Sequence, residues 1–177
     1  MHATKTAALV ALTISVGDVA IADQRYSGAH LSFSLPAGVM AKEATDVVAD
    51  YAVEVVIPPG SPAAGAHLRF LLSTAKYGDN DVEAGANAWR DARLNNRASW
   101  GVRSRGERRA EVGHIGARRT VRLIDQMGSM LGASRQTMVC ASISSKMVCG
   151  VLDGPTETET PGLAIMTHAF ETLSVVK

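Results

Sequence analysis

Between Gln136 and Asp153 the chain reads QTMVCASISSKMVCGVLD, two apolar runs, Gln136 to Ile143 and Lys146 to Asp153, on either side of Ser144-Ser145. Apolar runs bounded by a short polar pair read as a β-hairpin. If the loop is those two serines, Ile143 faces Lys146. Counting outward then puts Cys140 opposite Cys149 on a non-hydrogen-bonded pair, where cross-strand side chains approach most closely. That placement suits a disulfide between Cys140 and Cys149. The alternatives are two reduced cysteines packed in the sheet and a redox-active pair, although catalytic dithiols usually sit close in sequence at a helix N-terminus, which this hairpin lacks. The serines are not the glycine or asparagine that two-residue turns favour, and a four-residue loop would move the cysteines onto a bonded pair.

Working outward, His30 to Leu35 alternates, with Leu31, Phe33 and Leu35 on one face, and Pro36-Ala37-Gly38 stops it, so a first strand is predicted near Gly28 to Leu35. A second covers about Val47 to Ile57, and after Pro58-Pro59-Gly60-Ser61-Pro62 a third runs from Ala66 to Thr74, with His67 and Arg69 facing outward. Asn80 followed by Glu83 has capping-box spacing and opens a helix through about Asn96 that carries Trp89, with Arg90 and Arg93 on its surface. Ser99 to Gly106, Arg108 to Ile115 and Arg118 to Met127 read as three strands punctuated by glycines, and Gly128 to Ser134 as a loop into the cysteine hairpin. A last helix begins with Thr160 as cap and Pro161 at its first position, and carries the apolar stripe Leu163, Met166, Phe170 and Leu173. Hairpin-length connections dominate, and parallel strands would need longer crossovers. The expectation is therefore an α+β fold, a single antiparallel sheet of about six to eight strands with two helices packed on it.

The opening strand ending in LSFSLPAG, a helix bearing a tryptophan, a glycine-punctuated meander and a last helix near AFETLSVV together resemble the PsbP-like fold over most of residues 26 to 176. Val39 stands where the commonest form of that pattern has a tryptophan. Members of the fold include photosystem accessory proteins, bacterial envelope proteins and adaptors of type VI secretion. The resemblance thus implies a binding scaffold without catalysis, and it carries over no functional residue.

At 177 residues, with 46% hydrophobic and 20% charged residues and a formal net charge of +1, the chain is ordinary globular material of one-domain size. Disorder would need fewer apolar residues, and a polytopic membrane protein would need runs of about 20. Met1 to Lys5 is short and weakly basic, Thr6 to Val16 is apolar, and Ala20-Ile21-Ala22 supplies a small-x-small cleavage site. Residues 1–22 thus read as a cleaved signal peptide and 23–177 as one α+β domain, free in a periplasm or secreted. An oxidising compartment would supply the chemistry for the disulfide. No integral membrane insertion is expected.

Charge is uneven. Arg90 to Arg122 holds ten arginines against Asp91, Glu107 and Glu111, while the rest of the expected mature chain is net acidic. Arginine forks suit carboxylate and phosphate recognition, so Arg103, Arg105, Arg108, Arg109, Arg118, Arg119 and Arg122 are candidates for binding an anionic partner, an envelope or extracellular protein or another polyanion. The alternative is that strand alternation scatters them over a solvated sheet, some paired with the acidic remainder. Nucleic acid is disfavoured by the compartment, the near-neutral total charge and the scarcity of aromatics.

Compact zinc spacings, a nucleophile elbow, a phosphate loop and a dinucleotide fingerprint are all missing, so no metal and no cofactor is expected. His30 and His67 with Asp50 or Glu54 would make a site only if they shared a sheet face. His114, between Gly113 and Gly116, is a ligand-site candidate, because glycines let backbone approach a ligand; a tight bulge explains them equally. Met127, Met130 and Met138 suit core filling better than a soft-metal surface. The expected function is an exported binding protein, an inhibitor, immunity protein, adaptor or accessory factor. The alternatives are a secreted hydrolase with a dispersed triad, from Ser129 or Ser142 with His114 and Asp125, and a carrier for a small apolar ligand.

Overall fold

Ser144 and Ser145 both adopt left-handed conformations, with φ of 52° and 58°, and close a two-residue turn between β9 (Gly132–Ile143) and β10 (Lys146–Gly154). Positive φ at both positions defines the mirror-image turn whose twist matches a hairpin, reached here without asparagine or glycine. The register runs from Lys146 opposite Ile143, through Cys149 opposite Cys140, to Gly154 opposite Arg135. Cys140 and Cys149 form a disulfide, their Cα atoms 4.1 Å apart as expected for a non-hydrogen-bonded pair. The computed structural model describes residues 23–98, 103–104, 109–129 and 132–176; the expected signal peptide lies outside them.

The hairpin is the middle of an antiparallel eight-stranded sheet. Its other strands are β3 (Met40–Ala44), β4 (Tyr51–Val56), β5 (His67–Lys76), β6 (Arg103–Ser104), β7 (Arg109–Ile115) and β8 (Arg118–Ser129). The order is β3-β4-β5-β10-β9-β8-β6, and β7 also pairs with β8, all seven of its residues in register. Helix α1 (Val82–Ala98) covers one face of this sheet. The other face is covered by α2 (Glu159–Thr172) and by a second, three-stranded sheet of β1 (Gln24–Ser27), β2 (Leu31–Leu35) and β11 (Ser174–Val175). The α+β class, the strand count and the two helices are as the sequence predicts, with the small sheet added to them.

Alternation along the central strands divides the core in two. Leu68, Phe70 and Leu72 of β5, Val139 and Ala141 of β9, and Val148 and Leu152 of β10 face α2 and the small sheet. Leu71, Met138, Cys140, Met147, Cys149 and Val151 face α1. Close approach of α2 depends on two glycines. A Cβ at Gly150 would lie 2.9 Å from the Met166 side chain, and one at Gly162 would lie 2.7 Å from Leu152 Cδ1.

Several expectations need correction. The first strand is shorter than predicted, because the chain turns at residues 28–30 and β2 begins at Leu31, and the preceding β1, which the pattern does not predict, pairs with it in the small sheet. Residues 47–50 are not strand, and β4 begins at Tyr51, while β3 was not anticipated. The expected loop Gly128 to Ser134 is mostly ladder, with β8 and β9 paired out to Ser129 opposite Gly132. A 3₁₀ turn over Thr156–Thr158 starts α2 early, so Thr158, not Thr160, is its N-cap residue, and its hydroxyl donates to the Pro155 carbonyl. Arg90 and Arg93 were expected on the surface of α1, and they are 9% and 7% exposed. They continue the buried stripe of Val82, Ala86 and Leu94 at helical spacing, so the helix presses them onto the sheet.

Candidate functional site

A groove of about 270 Å³ runs between α2 and the β7–β8 edge of the sheet. Ile115, Val139 and Leu163 give it an apolar floor, and Glu111, Thr120 and Arg122 give it polar walls. Among the described residues β7 has β8 as its only strand neighbour, and its Val112 is 55% exposed. An edge strand with an open ladder and an exposed apolar side chain is a template for pairing with another chain. His114 lies on this strand opposite Arg119, exposed, at the border of the groove.

Of the seven arginines proposed for partner binding, Arg105 and Arg108 lie outside the described residues, as does the side chain of Arg103 in β6. Arg118 donates through Nη1 to the Phe170 carbonyl and through Nη2 to that of Leu173 at 2.8 Å. It thereby caps the C-terminus of α2, where carbonyls lack intrahelical donors. Arg119 Nη1 donates to the Asp79 carbonyl at 2.7 Å. Arg122 lies 3.4 Å from Glu159 and 3.8 Å from Glu111, and Arg135 also binds Glu159, which accepts a third bond from the Thr137 hydroxyl at 2.9 Å. Arg109 is exposed and has an interaction of its own. The chain's own carbonyls and carboxylates therefore engage much of the arginine meander.

The other candidate groupings are dispersed. His30 meets the Tyr51 ring edge-on at 4.9 Å on the α2 side of the sheet, and His67 lies on the α1 side opposite Asp153. Asp50 accepts the backbone N–H of Thr74 at 2.7 Å and its hydroxyl at 2.8 Å, which holds its carboxyl below the usual carboxylate range. His168 lies 3.0 Å from Asp23. No group of three His, Cys, Asp or Glu among the described residues converges as a metal site. Ser142 donates to the Tyr77 carbonyl at 3.0 Å. Asp125 lies four residues along β8 from Val121, whose partner is Cys140, while Ser142 is two residues beyond Cys140 in the opposite direction. At about 3.3 Å per residue that separates Ser142 and Asp125 by roughly 20 Å, too far for one triad. Met127 and Met138 are buried core residues, and Met130 lies outside the described residues.

What the sequence did not reveal is a charged seam under α1. His67, Asp153, Gln136 and Asp125 stand side by side across β5, β10, β9 and β8, and Gln136 and Asp125 are buried. From α1, Arg93 binds the loop residue Asp46 through Nη1 and lies 3.8 Å from Asp153, while Arg69 of β5 lies 3.7 Å from the same Asp46 oxygen. Asp46 is itself fixed as its Oδ1 accepts the Val48 N–H at 3.2 Å. The available signal was the spacing of Arg90 and Arg93 on the helical stripe of Val82, Ala86 and Leu94.

No protein-family model and no curated protein matches the chain. Solved structures match its fold. The solution structure of cyanobacterial PsbP (CyanoP) from Synechocystis superposes with a TM-score of 0.59 at 13% identity, covering 90% of this chain and 96% of that one. A crystal structure from Bacteroides thetaiotaomicron gives a TM-score of 0.55 at 10% identity, covering 83% of this chain and 45% of that one. The apo structure of the immunity protein TplEi of T6SS from Pseudomonas aeruginosa gives 0.41 at 14% identity, covering 81% of this chain and 45% of that one. The fold is PsbP-like.

Proposed function

We propose that this is an exported binding protein that docks a macromolecular partner, through an anionic segment, into the groove between α2 and β7–β8. The observation that carries the proposal is the combination, in one place, of a strand that has β8 as its one strand neighbour among the described residues, an apolar floor and charged walls. Strand addition would supply backbone hydrogen bonds, and side-chain pockets at alternate positions would supply selectivity. Inhibitor, immunity protein, adaptor and accessory factor are all roles for such a surface. The disulfide supports export, since cystine bonds persist in oxidising compartments, and the chain opens on a stretch with signal-peptide character. No helix among the described residues is long and apolar enough to cross a membrane.

The test is affinity capture from an envelope extract with the full chain, at low and at high salt. Thr167, exposed on α2 at the groove, is changed to Trp to fill it, and Arg109 is changed to Gln. The expected result is a partner retained at low salt, weakened at high salt, and lost with Thr167→Trp. A partner indifferent to both substitutions would remove the groove from the account, and finding the chain reduced and cytoplasmic on fractionation would remove export.

A further inference from the structure

On the opposite face of the sheet from that groove, two cavities of about 150 and 200 Å³ adjoin beneath the C-terminal half of α1, and Arg69 and Arg93 line both. Among the described residues the smaller is lined by His67, Arg69, Arg93 and Asp153. We propose that this seam is a binding site for a small oxyanion, the carboxylate or phosphate group of a ligand, gripped by Arg69 and Arg93 with His67 beside them.

The donors outnumber the bonds they make. Each guanidinium carries five N–H groups in a planar fork matched to a carboxylate or phosphate edge. Among the described residues Arg93, 7% exposed, donates from Nη1 to Asp46, and its Nη2 lies 3.8 Å from Asp153, beyond hydrogen-bond reach. A charged donor held nearly dry without a full set of acceptors is costly, so an oxygen arriving between the arginine forks would be favoured. Arg69 lies 3.7 Å from Asp46 with 37% of its side chain exposed, which leaves its fork turned partly to the cavities and reachable from solvent. Asp46, with 2% of its side chain exposed, already occupies one side of the arginine pair. It stands on the loop between β3 and β4 and serves as a built-in counter-ion against which a ligand competes.

The test is an NMR titration of the full chain with inorganic phosphate and, in a second arm, with acetate, each against sodium chloride at matched ionic strength. Saturable shifts confined to the His67 ring and the Nε–H signals of Arg69 and Arg93 are expected. Arg69→Gln should weaken the apparent affinity at least tenfold, Asp46→Asn should tighten it by removing the competitor, and Arg109→Gln on the other face should change nothing. Saturation by acetate alone assigns a carboxylate ligand, by phosphate alone a phosphate, and by both a general oxyanion site. Shifts that merely follow ionic strength, or that survive Arg69→Gln in a variant whose melting temperature is unchanged, would overturn the proposal. Loss of the groove partner would leave this result untouched, since the two sites share no residue.

Discussion

The two faces of the central sheet are closed by different physics. Toward α2 and the small sheet the centre of the layer is apolar, and its ion pairs, those of Glu159 with Arg122 and Arg135, stand at the start of α2. Phe70 sits between Phe33 at 4.7 Å and Phe170 at 5.6 Å between ring centroids, and Leu31, Leu35, Leu68, Leu72, Ile165 and Met166 fill the space around them. Toward α1 the layer changes character along its length. Val82 and Ala86 begin the helix on Leu71, Met138, Met147 and the disulfide, and Arg93 ends it on Asp46 and Asp153. Aliphatic and aromatic packing tolerates no polar group but is indifferent to salt and pH, whereas a seam of nearly buried ions holds only while each charge keeps its partner. One face therefore serves as structural foundation, and the other leaves charged donors beside cavities.

The sharpest way to break this contrast is to cut each face at its centre. Phe70→Ala removes the middle ring of the phenylalanine stack and should cost about 3–5 kcal/mol in urea unfolding, the range for truncating a buried aromatic. A loss below about 1 kcal/mol would mean that the α2 face is not the foundation. Asp46→Ala should cost about 3 kcal/mol, because it strands Arg93 in a site almost closed to water. Replacing both residues, Asp46→Ala with Arg93→Met, should recover part of that loss. Strict additivity in the double-mutant cycle would show that the pair is not coupled.

The disulfide belongs to the α1 layer and is the next effect in size. It closes a loop of sequence separation 9, for which chain entropy gives about 2–3 kcal/mol. Changing both cysteines to alanine should lower stability by that amount and leave the fold intact, since the hairpin keeps its full register on both sides. Both sulfurs are inaccessible in the folded protein, so a thiol reductant should act only as fast as the domain opens. Rapid reduction of the folded protein would contradict that burial.

Legibility followed the same division. The hairpin register, the pairing of Cys140 with Cys149 and the alternation of β5 could all be read because period-two patterning and a tight turn fix which side chains meet. The stripe of α2 was equally plain, because Met166 and Phe170 are apolar at helical spacing. The small sheet escaped because β1 and β11 are only four and two residues long and are defined by their partner β2 rather than by any pattern of their own. The burial of Arg93 is hidden for a related reason. Charge argues for solvent unless a carboxylate waits at the buried end, and Asp46 and Asp153 lie 47 and 60 residues away in sequence. Composition alone describes the meander arginines, while their carbonyl and carboxylate acceptors, at α2 for Arg118 and Arg122 and at Asp79 for Arg119, emerge only when the chain is folded.

The smallest effect sharpens the comparison at the edge of the α2 layer where the small sheet meets β3 and β4. The Tyr51 hydroxyl donates to Glu43 at 2.8 Å and lies 2.9 Å from the Tyr26 hydroxyl, where the small sheet meets β3 and β4. Burial first, and then the hydrogen bonds with Tyr26 and Glu43, push its pKa well above the ordinary phenol value of 10.0. The folded protein therefore keeps a proton that the unfolded chain releases near pH 10, so the contribution is complete below that pH and lost as pH rises above it. The urea midpoint of the native protein should fall between pH 9.5 and 11 more steeply than that of Tyr51→Phe, which has no phenol to ionise. Equal slopes would show that Tyr51 ionises alike in both states. The seam between the sheets would then be held by packing, like the phenylalanine core it borders.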